Sequence, residues 1–191
     1  MAEQHIFGID KLKADVFKPA YRGFALGNKY DVIISPKNLA SLTGVITDQL
    51  RSLRFLCDQV AFPVRSLATV DSNIYGAPTK LPYQSSYTEA SLSFYLTESM
   101  AQKKLFDAWQ EIIINSRTGN VGFFDDYSCS VTISKYSSNV DDPDGNTADY
   151  AVRLLDAWPS IIGEVQLSHS AGNEVLKLPV TFMYRRWETV I

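Results

Sequence analysis

Ala157-Trp158-Pro159-Ser160-Ile161-Ile162-Gly163-Glu164-Val165-Gln166-Leu167 is the stretch on which the fold turns. Pro159 and Gly163 bracket a short segment, and these two residue types are the strongest local punctuators of structure, so the spacing predicts a turn. Residues 150–158 ahead of it read as a strand. Residues 164–169 behind it alternate polar and apolar, the period of a half-buried strand. Ala171-Gly172-Asn173 supplies a hairpin turn, and residues 175–186 form a last strand. This end of the chain therefore predicts an antiparallel meander.

The same period recurs towards the N-terminus. Residues 30–34 form a strand closed by Ser35-Pro36. Residues 37–52 read as a short helical insertion, and residues 53–62 and 64–69 as strands. In residues 88–96, Thr88, Ala90, Leu92, Phe94 and Leu96 face one way, and Glu89, Ser91, Ser93 and Tyr95 the other. In residues 128–136, Cys129, Val131 and Ile133 are apolar, and Ser128, Ser130, Thr132 and Ser134 lie opposite. One helix is expected at 98–115, with Thr97 as its N-cap. Its apolar stripe is Ala101, Leu105, Ala108, Trp109, Ile112 and Ile113. About eight strands and one helix make a mainly β fold, an antiparallel β-sandwich or barrel with one flanking α-helix.

At 191 residues the chain suits one domain. Residues 1–29, which include Phe7 and Phe17, read as an N-terminal arm too apolar to be a free tail. Residues 30–191 form the sandwich domain. Residues 70–84 combine Asp71, Asn73, Gly76, Pro78 and Pro82 with Ile74, Tyr75, Leu81 and Tyr83. Such punctuation marks a long loop or the tip of a protruding hairpin, and exposed apolar side chains suggest a partner.

Composition excludes several classes. A formal net charge of −3 gives no basic face for gripping nucleic acid. No apolar run reaches a membrane span, and residues 1–5 lack the features of a signal peptide, so synthesis in the cytoplasm is expected. Cys57 and Cys129 are too few for a disulfide framework and read as buried free thiols. His5 and His169 are the only histidines, and G-x-S-x-G is absent, so nucleophilic catalysis has no parts to work with. Asp142, Asp144 and Asn146 imitate a calcium loop, but Thr147 and Arg153 occupy the positions that need Gly and Glu. Gly76-Ala77-Pro78-Thr79-Lys80 is not a phosphate loop. Neither a cofactor nor a metal is expected, and no catalytic residue.

Several features together resemble the tail-tube proteins of contractile-tailed bacteriophages. They are Asp156-Ala157-Trp158-Pro159 with Gly163-Glu164-Val165-Gln166-Leu167, Phe106-Asp107-Ala108-Trp109-Gln110 on the helix, and Val180-Thr181-Phe182 before Arg186-Trp187-Glu188. The resemblance covers roughly residues 10–190 and departs from the family at 37–52 and 139–147. It implies protomers joined into a ring-shaped barrel, with hexameric rings stacked into a tube inside a contractile sheath. It also implies a place in the virion tail. The implied partners are further copies of the chain, the sheath, baseplate and tail-terminator proteins. A tape-measure protein and DNA would occupy the lumen without specific binding, and no membrane is involved. Related proteins start the tube at a baseplate or build phage-like injection tubes.

A channel that passes DNA without holding it needs a wall free of Lys and Arg. Glu89, Ser91, Ser93, Ser128, Ser130, Thr132 and Ser134 meet that need, or else face ordinary solvent. Contacts between rings are expected from the loop and the arm, with Tyr75, Leu81, Tyr83, Phe7 and Phe17 as anchors. From another class, the aromatics could line the groove of a β-sandwich ligand-binding module.

Overall fold

A computed structural model describes residues 25–38, 46–73, 76–136, 148–168 and 174–190. Its longest strand runs straight through the segment expected to turn. This strand, β7 (Ala148–Ile162), pairs antiparallel along its first part with β6 (Cys129–Tyr136) and, on its other side, with β9 (Arg186–Thr189). Beyond Ala157 it pairs with β8 (Lys177–Met183) instead. The exchange happens at a bulge, because Val131 opposes Leu154 while Cys129 opposes Ala157. Within the bulge Asp156 adopts a left-handed backbone with φ 57, a region Asp tolerates better than most residues. Bulges bend strands, so the chain bends at Asp156 inside one strand, and the turn expected between Pro159 and Gly163 is replaced by strand that continues to Ile162. Pro159 is accommodated because β7 has only one strand neighbour there and its fixed φ suits extended backbone.

The remaining strands are β1 (Tyr30–Pro36), β2 (Cys57–Val60), β3 (Arg65–Ser72), β4 (Thr79–Tyr87) and β5 (Ala90–Tyr95). One sheet runs β1-β6-β7-β8-β5-β2 with β9 beside β7, and every pairing is antiparallel. The sheet folds back on itself, so that its two end strands meet. The Tyr30 hydroxyl donates to the carbonyls of Cys57 (3.0 Å) and Asp58 (2.5 Å) and bridges β1 to β2. Burial pushes that phenol up to about 12. Val32, Val131, Ile133, Val152 and Leu154 from one half share a core with Leu92, Phe94, Leu178, Val180 and Phe182 from the other. Each such side chain contributes about 1.5–3 kcal/mol when removed from water.

Three helices accompany the sheet among the described residues: α1 (Ile46–Leu56), α2 (Ala101–Ile113) and α3 (Phe124–Tyr127). Residues 53–56, read above as strand, are the end of α1. Leu50 and Leu53 are buried at helical spacing, while Arg54 and Phe55 point outward. A short apolar run such as Leu53-Arg54-Phe55-Leu56-Cys57 fits either period, and burial beside β1 selects the helix. The stripe on α2 is also rotated from the expected one. Gln102 and Phe106 are buried and Ala108 is exposed. Phe106 packs 5.5 Å from Phe94 and 6.2 Å from Phe182, and Trp109 donates its indole N–H to Tyr127 O at 2.9 Å. Thr97 does not cap the helix, whose N-cap residue is Met100. Instead, the Gln102 side-chain oxygen accepts from the Thr97 backbone N–H and hydroxyl, both at 3.0 Å.

Residues 163–168 carry no strand, and the expected last strand is divided into β8 and β9 around Tyr184-Arg185. The readings of Phe7, Phe17, His5, Tyr75, the 141–146 cluster, His169 and the 171–173 turn lie outside the described residues.

Candidate assembly surfaces

β3 and β4 form a sheet of their own, paired with no other strand among the described residues. The expected 70–84 loop is therefore the outer part of a hairpin spanning 65–87, with Gly76 at φ 81 in its connection. Val70 lies opposite Leu81 on one face, and Leu67 lies opposite Ser85 on the other. Leu67, Val70, Leu81 and Tyr83 are 57%, 50%, 48% and 65% exposed. A two-stranded hairpin is marginal in water even with a polar exterior. This one shows apolar side chains on both faces, the pattern of a surface that awaits cover.

The two polar strand faces separate in space. On β5, Ser91 and Ser93 lie beside Thr181 and Pro179 of β8, and Gln59 of β2 is the partner of Ser93. Ser91 and Glu89 are exposed. On β6, Ser130 and Thr132 are half-buried beside Ser35 and Ile33 of β1. Both strands turn their opposite faces to the one core, from opposite halves of the sheet. Their polar faces therefore point away from each other.

Two of the expected wall residues are corrected outright. Ser128 is wholly buried, and its hydroxyl has no hydrogen-bond partner among the described residues. Ser134 is buried beside Asp31, its register partner, which Arg54 holds at 2.5 Å. Strand alternation placed both outside, but Ser128 is the C-cap of α3 and precedes β6, while Ser134 lies beside a pair formed by elements distant in sequence. The β6 face also carries Arg153, the register partner of both Thr132 and Glu188. No strand-by-strand reading could reveal that cation, because only the pairing register places it there.

Charges elsewhere are arranged in compact groups. On the β5 side, the Lys177 ammonium sits 2.7 Å from Asp58 and 5.4 Å from the centre of the Tyr95 ring. The Lys177 hydrogen bond, followed by that of Tyr95, holds the Asp58 carboxyl below the usual range. The same hydrogen bond to Asp58 raises Lys177. At the β7 bulge, Asp156 lies 2.5 Å from Lys37 and 3.6 Å from Arg185, and chiefly the Lys37 hydrogen bond depresses its carboxyl. Arg185 N also donates to Leu155 O at 3.1 Å, which ties the bend to the start of β9.

Cys57 and Cys129 are both free, the first half-buried rather than buried, and burial pushes the Cys57 thiol up to about 11. Thiols so raised are poor nucleophiles. Among the described residues, no group of three His, Cys, Asp or Glu is placed to hold a metal. Among them too, no helix is long and apolar enough to cross a membrane. A groove between β1 and α1 is lined mainly by Ile33, Ile34, Pro36, Leu50 and Phe55.

Residues 25–190 match the family described as phage tail tube protein. No curated protein matches the chain significantly. Among solved structures, it is similar to a chain of the sheath–tube complex of PVC, an extracellular contractile injection system, in its extended state. The TM-score is 0.62 at 15% identity, over 92% of this chain and 95% of that one. A chain of the sheath/tube terminator of the same system gives 0.59 at 16%, over 88% and 97%. A chain of the anti-feeding prophage baseplate gives 0.56 at 12%, over 87% and 95%. At these identities the likeness is one of fold.

Proposed function

Since the chain belongs to the phage tail tube protein family, we propose that its protomers close into hexameric rings that stack into the inner tube of a contractile tail. DNA passes through that tube during ejection. The observation that carries this reading is the β3–β4 hairpin, whose apolar side chains are exposed on both faces. Seated on a neighbouring protomer, Leu67, Val70, Leu81 and Tyr83 would leave water and the hairpin would gain the packing it lacks. Tyr75, Phe7 and Phe17 are proposed to add to the contacts between rings.

The β5 face suits the wall of the channel better than the β6 face. Glu89, Ser91, Ser93, Gln59 and Thr181 are small, polar or acidic. Phosphate affinity comes mainly from Lys and Arg, so a wall of this kind lets DNA slide. The β6 face, with Arg153 beside Thr132, is assigned to the outside of the ring. The reading is of a structural protein of the virion tail, without a catalytic step. Its partners would be further copies of itself, then the sheath, baseplate and terminator proteins, with a tape-measure protein in the lumen.

Negative-stain microscopy of the purified protein tests this. Long hollow tubes are expected, and single rings would instead favour a tube-starting baseplate component. The double substitution Leu81→Asp/Tyr83→Asp should leave rings and abolish long tubes. Tubes of ordinary length from that variant would sink the stacking role of the hairpin.

A further inference from the structure

Lys177 is a cation at the edge of the β5 face. It is the register partner of Tyr95, at the end where β8 begins. Its ammonium group is 2.7 Å from Asp58, lies over the Tyr95 ring at 5.4 Å, and the Tyr95 hydroxyl also bonds to Asp58. Asp58 is the extra residue of a bulge, since Cys57 opposes Phe94 while Gln59 opposes Ser93. Bulges re-aim a side chain, and this one sends a carboxylate from the end strand across β5 to a lysine on β8.

We infer that Asp58, helped by Tyr95, masks Lys177, so that the face of β2, β5 and β8 offers no free ammonium group to a sliding polyanion. The inference rests on the reading of this face as the channel wall. An exposed ion pair contributes little to stability, so its larger effect is on what the face can bind. A lysine already paired with a carboxylate has little to gain from a phosphate. Left unpaired in every protomer of every ring, it would form a ladder of phosphate sites along the channel. Six to ten such contacts change DNA affinity by about 10³–10⁵ between ~50 and ~200 mM salt. Asp58 and Tyr95 are thus positioning residues that set the cargo selectivity of the wall.

Asp58→Asn tubes, mixed with a short fluorescent DNA duplex and sedimented, test the masking. The variant should retain at least about ten-fold more DNA than wild type at ~50 mM salt and lose the excess by ~200 mM. Asp58→Asn/Lys177→Gln should return to the wild-type level. If Asp58 merely braced β2, removing the lysine would not repair the loss, so this rescue separates masking from support. Should Asp58→Asn not assemble, Asp58→Ser takes its place. Retention no higher than wild type, or retention undiminished in the double variant, would overturn the masking. The wall is tested separately with Ser91→Cys tubes, using wild-type tubes as the background for native thiols. A small maleimide should label the introduced thiol and a maleimide on a bulky polymer should not. Equal labelling by both would overturn the wall itself, whatever the DNA result.

Discussion

Gly163→Ala is the perturbation whose cost follows most directly from the geometry. Gly163 directly follows β7 and donates its N–H to Pro179 O at 2.7 Å, drawing the two backbones together. A Cβ added there would lie 3.0 Å from Pro179 O and 3.2 Å from Pro179 Cδ, and closer still to Cγ. The proline ring is stiff and its carbonyl is the acceptor of the short hydrogen bond, so relief means opening the β7–β8 contact. Overpacking of this kind costs about 1–3 kcal/mol. In a chain of this length each kcal/mol lowers Tm by roughly 2–4 °C. A loss of about 2–12 °C is therefore expected, with a matching fall in the urea midpoint and an unchanged m value. Pro179→Ala removes two of the three close atoms but leaves the carbonyl, so it should rescue Gly163→Ala in part. A double-mutant cycle on the unassembled protein should show coupling of at least ~0.5 kcal/mol. A Gly163→Ala protein within ~0.5 kcal/mol of wild type, uncoupled from Pro179→Ala, would refute the steric reasoning.

Three further outcomes are expected. Asp156→Asn keeps a residue tolerant of the left-handed bulge but loses the attraction to Lys37 and Arg185, at up to about 1 kcal/mol; Asp156→Ala should cost ~1–2 kcal/mol more for the backbone. Because the folded state depresses the Asp156 carboxyl, its contribution is present above the unfolded value of about 3.9 and lost as pH falls through the folded one. Acid titrations of stability should thus show a component below about pH 4 in wild type that is missing from Asp156→Asn. Ser128→Ala removes a buried hydroxyl without a partner, and equilibrium denaturation should find the variant about 1 kcal/mol more stable. Trp109→Ala empties a fully buried site against Phe182 and should cost about 3–5 kcal/mol, which calorimetry will show as a large drop in Tm.

Local alternation was enough to read the inner faces of β5 and β6. Leu92, Phe94, Val131 and Ile133 lie in the core where period two puts them. The helix at 101–113 was legible in its existence and not in its rotation. Alanine counts as apolar in any stripe, but the side-chain volume that fills the space beside Phe94 and Phe182 belongs to Phe106 and Trp109. The polar faces were half legible. Their outward direction followed from alternation for Ser91 and Ser93, and failed for Ser128, which caps α3 ahead of the strand, and for Ser134, which lies beside the Asp31–Arg54 pair. The exposed hairpin residues Leu81 and Tyr83 were visible as apolar residues amid turn signals, whereas Leu67 and Val70 were read as part of an ordinary strand and loop. Nothing short of the pairing register could show that they share their exposure.

The segment from Asp156 to Gly163 divides the two kinds of knowledge. Its residue types alone marked an interruption, because Pro159 and Gly163 limit the backbone wherever they occur, but the strand continues through Pro159 to Ile162 and bends earlier, at Asp156. The tertiary structure decided where and how. Whether a chain turns back or bends onward depends on which strands offer hydrogen bonds on each side. Here β6 and β9 do so before the bend and β8 after it. Asp156 takes up the bulge, Lys37 and Arg185 neutralise it, and one strand joins both halves of the sheet. Cys129 reaches Ala157 across 28 positions, Met183 reaches Trp158 across 25 and Lys37 reaches Asp156 across 119, separations that no local period records.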